Sequence, residues 1–176
     1  SVNDGSSDNN FDSVSDQTVS VSTTDDDVAG FTVAETDSST SVSESGSTDT
    51  FTVVLDAQPN SPVVIALTSS DSGEATSNSP LTFTSTNWDT PQTVTVTGVD
   101  DDIIDGSVSS TLTITIVDAN SDDDFDAVAD QTVSVTTTDD DVAGFTIAET
   151  DSSTSVGESG TTDTFTVVLD AEPASD

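Results

Sequence analysis

The chain has 176 residues and carries 35 Asp and Glu against no Lys, Arg or His, a formal charge of −35. Nucleic acid is excluded as a partner, because phosphate binding rests on Lys and Arg, and an anionic membrane surface is excluded on the same ground. Without Cys there is no disulfide or thiolate chemistry, and a one-signed chain repels itself unless cations supply the missing charge.

Residues 1–27 end in the alternating run Gln17–Thr24 and the triplet Asp25-Asp26-Asp27. From there on, short segments alternate apolar and polar residues with period two, bounded by Gly, Asn, Asp, Ser and Pro. The alternation predicts strands near 29–35, 48–56, 62–69, 80–84, 91–99, 109–118 and 131–138. In Thr50–Leu55, Gln92–Thr97 and Thr111–Ile116, Thr takes the solvent side and the larger apolar residues the inner side. The predicted core is Phe51, Val53, Leu55, Val63, Ile65, Leu67, Leu81, Phe83, Val94, Val96, Leu112, Ile114, Ile116, Val133 and Val135. Trp88, the single tryptophan, precedes a strand and is expected to plug one end of that core. No stretch reads as a helix, and no run approaches the ~18 apolar residues of a membrane span. Seven strands in about 110 residues predict an all-β, immunoglobulin-like Greek-key β-sandwich.

Residues 125–176 repeat residues 11–62 at a shift of 114, with nine of the 52 aligned positions different. A period of about 110 residues exceeds the ~20–45 of solenoid repeats, so each unit is expected to be a small domain in a tandem array. The expected division is the end of one unit at 1–27, a complete unit at 28–141, and the start of the next at 142–176. Any export or anchoring signal is expected outside this slice.

Acidic clusters fall between the predicted strands, at 25–27, 100–105, 122–126 and 139–141. Two unit charges ~4 Å apart repel by about 1 kcal/mol even in water, and by more at a partly buried loop. Hard divalent cations take about six to eight oxygen ligands, which loops converging at one end of a sandwich can supply. A single acidic run is ordinarily a solvated loop. Two runs at fixed places, one of them reproduced at 25–27, favour metal. An EF-hand template started at Asp101 puts Gly106 at its sixth position but Leu112 at its twelfth. Zinc lacks its Cys and His ligands.

The order TVSVTTTDDDVAG, a further strand, VSESG, SSDSGEA and VTGVDDDIIDG resembles the Calx-β domain. That module is known from sodium–calcium exchangers and large bacterial surface proteins, and Asn87–Val96 is similar to the bacterial repeats in particular. The resemblance implies bound Ca2+ and, carried over by motif, the ligands Glu44, Asp71, Asp100, Asp101, Asp102, Asp105, Asp139, Asp140 and Asp141. In the partial units Asp25, Asp26, Asp27 and Glu158 are the equivalents. The chain departs from the exchanger pattern at Asp105-Gly106, where that pattern continues with Glu. Glu35 and Glu149 are next in line, though a solvent-facing strand Glu is the commoner case.

The expected function is a calcium-binding structural repeat of an extracellular fibre or adhesin stalk at a bacterial cell surface, stiffened by Ca2+ at the joints between neighbouring repeats. The partial ends raise a further arrangement, in which they complete neighbouring copies of the chain in a homopolymer. The alternative is an adhesive module for a carbohydrate or protein partner, which its few aromatic residues disfavour. Catalysis is not expected, since no His, Lys, Arg, Cys or Tyr is present to tune the carboxylates. The Thr ladders are expected to be ordinary solvent-facing strand residues.

Overall fold

The computed structural model describes residue 3 and residues 5–173. Its strands are β1 (Phe31–Glu35), β2 (Thr40–Ser43), β3 (Thr48–Leu55), β4 (Val63–Ser69), β5 (Ala75–Ser77), β6 (Leu81–Phe83), β7 (Gln92–Gly98), β8 (Val108–Ile116), β9 (Gln131–Thr138), β10 (Phe145–Glu149) and β11 (Phe165–Leu169). The seven strands expected within 28–141 are all present. β2 and β5 are additional, each too short and too poor in large apolar residues to register as an alternating run. The only helical pieces among the described residues are three-residue 3-10 turns at Asn9–Phe11, Asp118–Asn120 and Asp123–Phe125.

β1-β3-β7-β5 form one sheet and β2-β9-β8-β4-β6 the other. Their inner faces share one apolar core, which makes an all-β sandwich. The period-two pattern explains it: β3 reads Phe51, Val53 and Leu55 inward, β8 reads Leu112, Ile114 and Ile116 inward, and all six are buried. Every residue of the predicted core is buried. The structure adds Phe31, Val42, Ala57, Ala75 and Phe125, and Trp88 is half-buried against the cluster. Burying side chains of this size contributes about 1.5–3 kcal/mol each. With a repulsive surface charge of this magnitude, that burial is what holds the apo chain together.

β10 and β11 form a separate two-stranded sheet. Their pairing, Phe145 opposite Leu169 through Glu149 opposite Phe165, has the same register as Phe31 opposite Leu55 through Glu35 opposite Phe51 in β1–β3. The repeated sequence therefore makes the repeated hairpin. Its inward residues differ in environment, however: Phe145 is 63 % exposed where Phe31 is 3 %. Residues 14–28 belong to no helix or strand and are exposed.

Candidate metal centre

Glu44 is placed by strand register. β2 runs parallel to β9 with Ser43 opposite Thr138, and the Glu44 N–H donates to the Thr138 carbonyl at 3.1 Å. This sets Glu44 beside the first residue after β9, which is Asp139. The approach depends on Gly98 at the end of β7, because a Cβ there would overlap the Ser43 carbonyl oxygen. Glu74 arrives from another direction. A turn in which Ala75 N–H meets the Asp71 carbonyl leads into β5, and the Glu74 carbonyl then accepts from Val99 N–H at 2.9 Å and from the Thr137 hydroxyl at 3.3 Å. The loops after β7 and β9 close the same end. Asp139 clamps them together, accepting the Gly106 N–H at 2.8 Å and the Asp141 N–H at 2.7 Å. Asp101 accepts the Ile103 N–H at 2.7 Å, which fixes its own loop.

Two sets of carboxylates result. Oxygens of Glu44, Asp101 and Asp141 lie within 4.8 Å of one another, and so do oxygens of Glu44, Glu74 and Asp105. Glu44 belongs to both. It is 1 % exposed, Glu74 is 7 % exposed, and neither Glu44 oxygen has a hydrogen-bond partner, nor has Glu74 Oε2 or Asp141 Oδ2. Burial, followed by the charges of Asp139, Asp101, Glu74 and Asp105, pushes the Glu44 carboxyl up to about 7. Burial raises Glu74 as well, assisted by Asp105 and Asp71. Asp141 is raised by burial and then by Asp139. Asp139 is held below the ordinary range by its backbone donors, Gly106 first.

Protonation removes the repulsion but leaves the buried oxygens without partners, and a buried polar group with no partner costs about 1–3 kcal/mol. A cation removes both penalties at once. The donors are hard carboxylate oxygens, and their separations of up to 4.8 Å are of the size that an ion with oxygen distances of about 2.3–2.6 Å brings together. These residues fit calcium.

Of the ligands implied by the motifs, Glu44, Asp101, Asp105 and Asp141 fall within the two sets. Asp139 contributes from the side as the clamp just described. Asp71 is exposed and spends Oδ1 on the Gly73 N–H at 3.0 Å. Asp100, Asp102 and Asp140 are exposed and outside both sets. Asp25, Asp26 and Asp27 are exposed, with Asp25 accepting the Asp27 N–H at 3.1 Å as Asp139 accepts that of Asp141. Glu158 is exposed, in a segment that has no strand partner like the one β9 gives β2. Glu74 was not singled out by the sequence reading. Its only signal was its place three residues after Asp71, at the mouth of a strand too short to recognise.

No protein-family model and no curated protein matches the chain. Among solved structures, the fold is similar to the apo form of the Calx CBD1 domain, with a TM-score of 0.44 and 13% identity over 63% of this chain and 98% of that one. It is also similar to CBD12 from CALX1.2, at 0.41 and 16% over 65% of this chain and 48% of that one. The E. coli chaperone DraB scores 0.45 at 6% identity, over 66% of this chain and 59% of that one. Among the described residues, no helix is long and apolar enough to cross a membrane.

Proposed function

We propose that the chain is a calcium-binding structural repeat of an extracellular fibre or adhesin stalk, in which Ca2+ occupies the carboxylate-lined end of each sandwich. One ion is held by Glu44, Asp101 and Asp141, and a further position lies between Glu44, Glu74 and Asp105. The observation that carries this reading is Glu44, a buried carboxylate with no donor, in a chain that has no cationic side chain to offer it. Each extracellular calcium module of this kind binds at about 10⁻⁴–10⁻³ M, which matches an environment where calcium is abundant. The joint then follows from chain order, because Asp139–Asp141 lead into β10 through three residues, Val142, Ala143 and Gly144. Loading the site removes like-charge repulsion at that joint, so a tandem array stiffens in calcium.

Calorimetric titration of the chain with calcium, and with magnesium at matched ionic strength, tests the proposal. Saturable calcium uptake that magnesium does not reproduce is the expected result. Equal weak heats from both ions would mean general charge screening, and the ligand assignments would fall.

A further inference from the structure

The segment after β11 folds back onto the loop that feeds the metal centre. Glu172 N–H donates to the Asp102 carbonyl at 2.6 Å, and Ile103 and Glu172 form an isolated parallel β-bridge. Asp102 shares a cavity of about 340 Å³ with Val168, Leu169, Asp170, Glu172 and Pro173. The Ile103 N–H is meanwhile taken by Asp101 Oδ1. The Asp101–Ile103 backbone is therefore held from two sides, by its own ligand side chain and by the hairpin unit that follows. The contact uses backbone groups of residue 172, so it does not depend on the side chain there.

We propose that the 170–173 segment is a positioning element of the metal centre: by fixing Asp102 and Ile103 it holds Asp101 and Asp105 facing Glu44. The centre of one unit is thereby tuned by the unit after it. Coupling of this kind is reciprocal, so an ion bound at Asp101 and Asp105 also fixes the following hairpin relative to the sandwich. The proposal rests on the calcium reading above.

The test uses the full chain with Glu172→Pro, which removes the donor N–H together with the carboxylate, and Glu172→Gln, which removes the charge but keeps the N–H. The chain has no cysteine, so a Cys pair introduced at exposed Ser109 and Ser155 takes nitroxide labels for pulsed-EPR distances across the joint. Glu172→Pro is expected to weaken calcium binding by about fivefold or more and to broaden the distance distribution in calcium. Glu172→Gln is expected to match the parent in both, and all three proteins to share one unfolding midpoint in chelator. Parent-like affinity and distances in Glu172→Pro would overturn the proposal, as would equal damage from Glu172→Gln. Absence of calcium uptake by the parent chain would instead sink the underlying reading.

Discussion

Asp122 and Glu44 sit at opposite ends of the sandwich, 5 % and 1 % exposed, and both are carboxylates in a chain without cations. Asp122 accepts the Ser61 N–H at 2.6 Å and the Asp124 N–H at 3.1 Å. Those donors, Ser61 first, hold it below the ordinary carboxylate range despite burial. Glu44 has no donor, and burial takes it the other way. Burial alone therefore does not decide the state of a carboxylate; the supply of N–H groups does. At the Asp122 end the acid is part of the fold, ordering the loops before β4 and before β9. At the Glu44 end the fold leaves a buried carboxylate without a hydrogen-bond partner, the feature on which the calcium proposal rests.

Removing the satisfied acid should be the most damaging change. Asp122→Ala strands the Ser61 and Asp124 donors and is expected to lower unfolding stability by about 2–3 kcal/mol, equally in calcium and in chelator. A calcium-dependent loss would break the distinction between the two ends. The pH response of the apo protein sharpens it. Glu44 has its folded pKa raised from 4.5 to about 7, so its contribution is fully present below pH 4.5 and is lost as pH rises through about 7. Glu74 shifts in the same direction. The unfolding midpoint in chelator should therefore fall between about pH 5 and pH 8, by about 2–4 °C for each kcal/mol involved, and the fall should vanish in calcium. Asp122 works in the opposite sense: its depressed pKa gives stability that is present above the ordinary carboxylate range and is lost as pH falls below it. The smallest effect is expected at Asp71, whose carboxylate caps an exposed turn at Gly73. Asp71→Asn should change stability and calcium affinity little, within about 0.5 kcal/mol, as judged by thermal melts and titration.

Most of the sandwich was legible because alternation and burial are the same fact seen twice: Phe51, Val53 and Leu55 had to face inward once Thr50 and Thr52 faced out. The strands that escaped notice are those held by distant partners. β2 exists because Thr40–Ser43 can lie parallel to Val135–Thr138, a pairing no local pattern announces. The site was legible to the extent that its ligands came in runs. Asp101 and Asp141 announced themselves by neighbours, although most of those neighbours point elsewhere. Glu74 did not, because its role depends on β5 meeting β7 at Gly98, and an isolated Glu in SSDSGEA carries no mark of burial. The hairpin β10–β11 shows the converse. Near-identical sequence reproduces the β1–β3 register, yet Val156 is 69 % exposed where Val42 is 3 %, because burial is a property of the partners and not of the residue.

If calcium is the ligand of this end, Glu44 is harmful to the empty fold and useful only when a cation is bound. The direct test is thermal unfolding of the parent chain and Glu44→Gln at about pH 8, the upper end of the titration above, each in chelator and in saturating calcium. In chelator the variant should melt higher than the parent, because an unsatisfied buried charge has been removed. In calcium the order should reverse, with the parent gaining about 2.7 kcal/mol for each site filled at 100 times its dissociation constant and the variant gaining much less. A variant less stable than the parent under both conditions would contradict the account, and would make Glu44 a structural residue like Asp122.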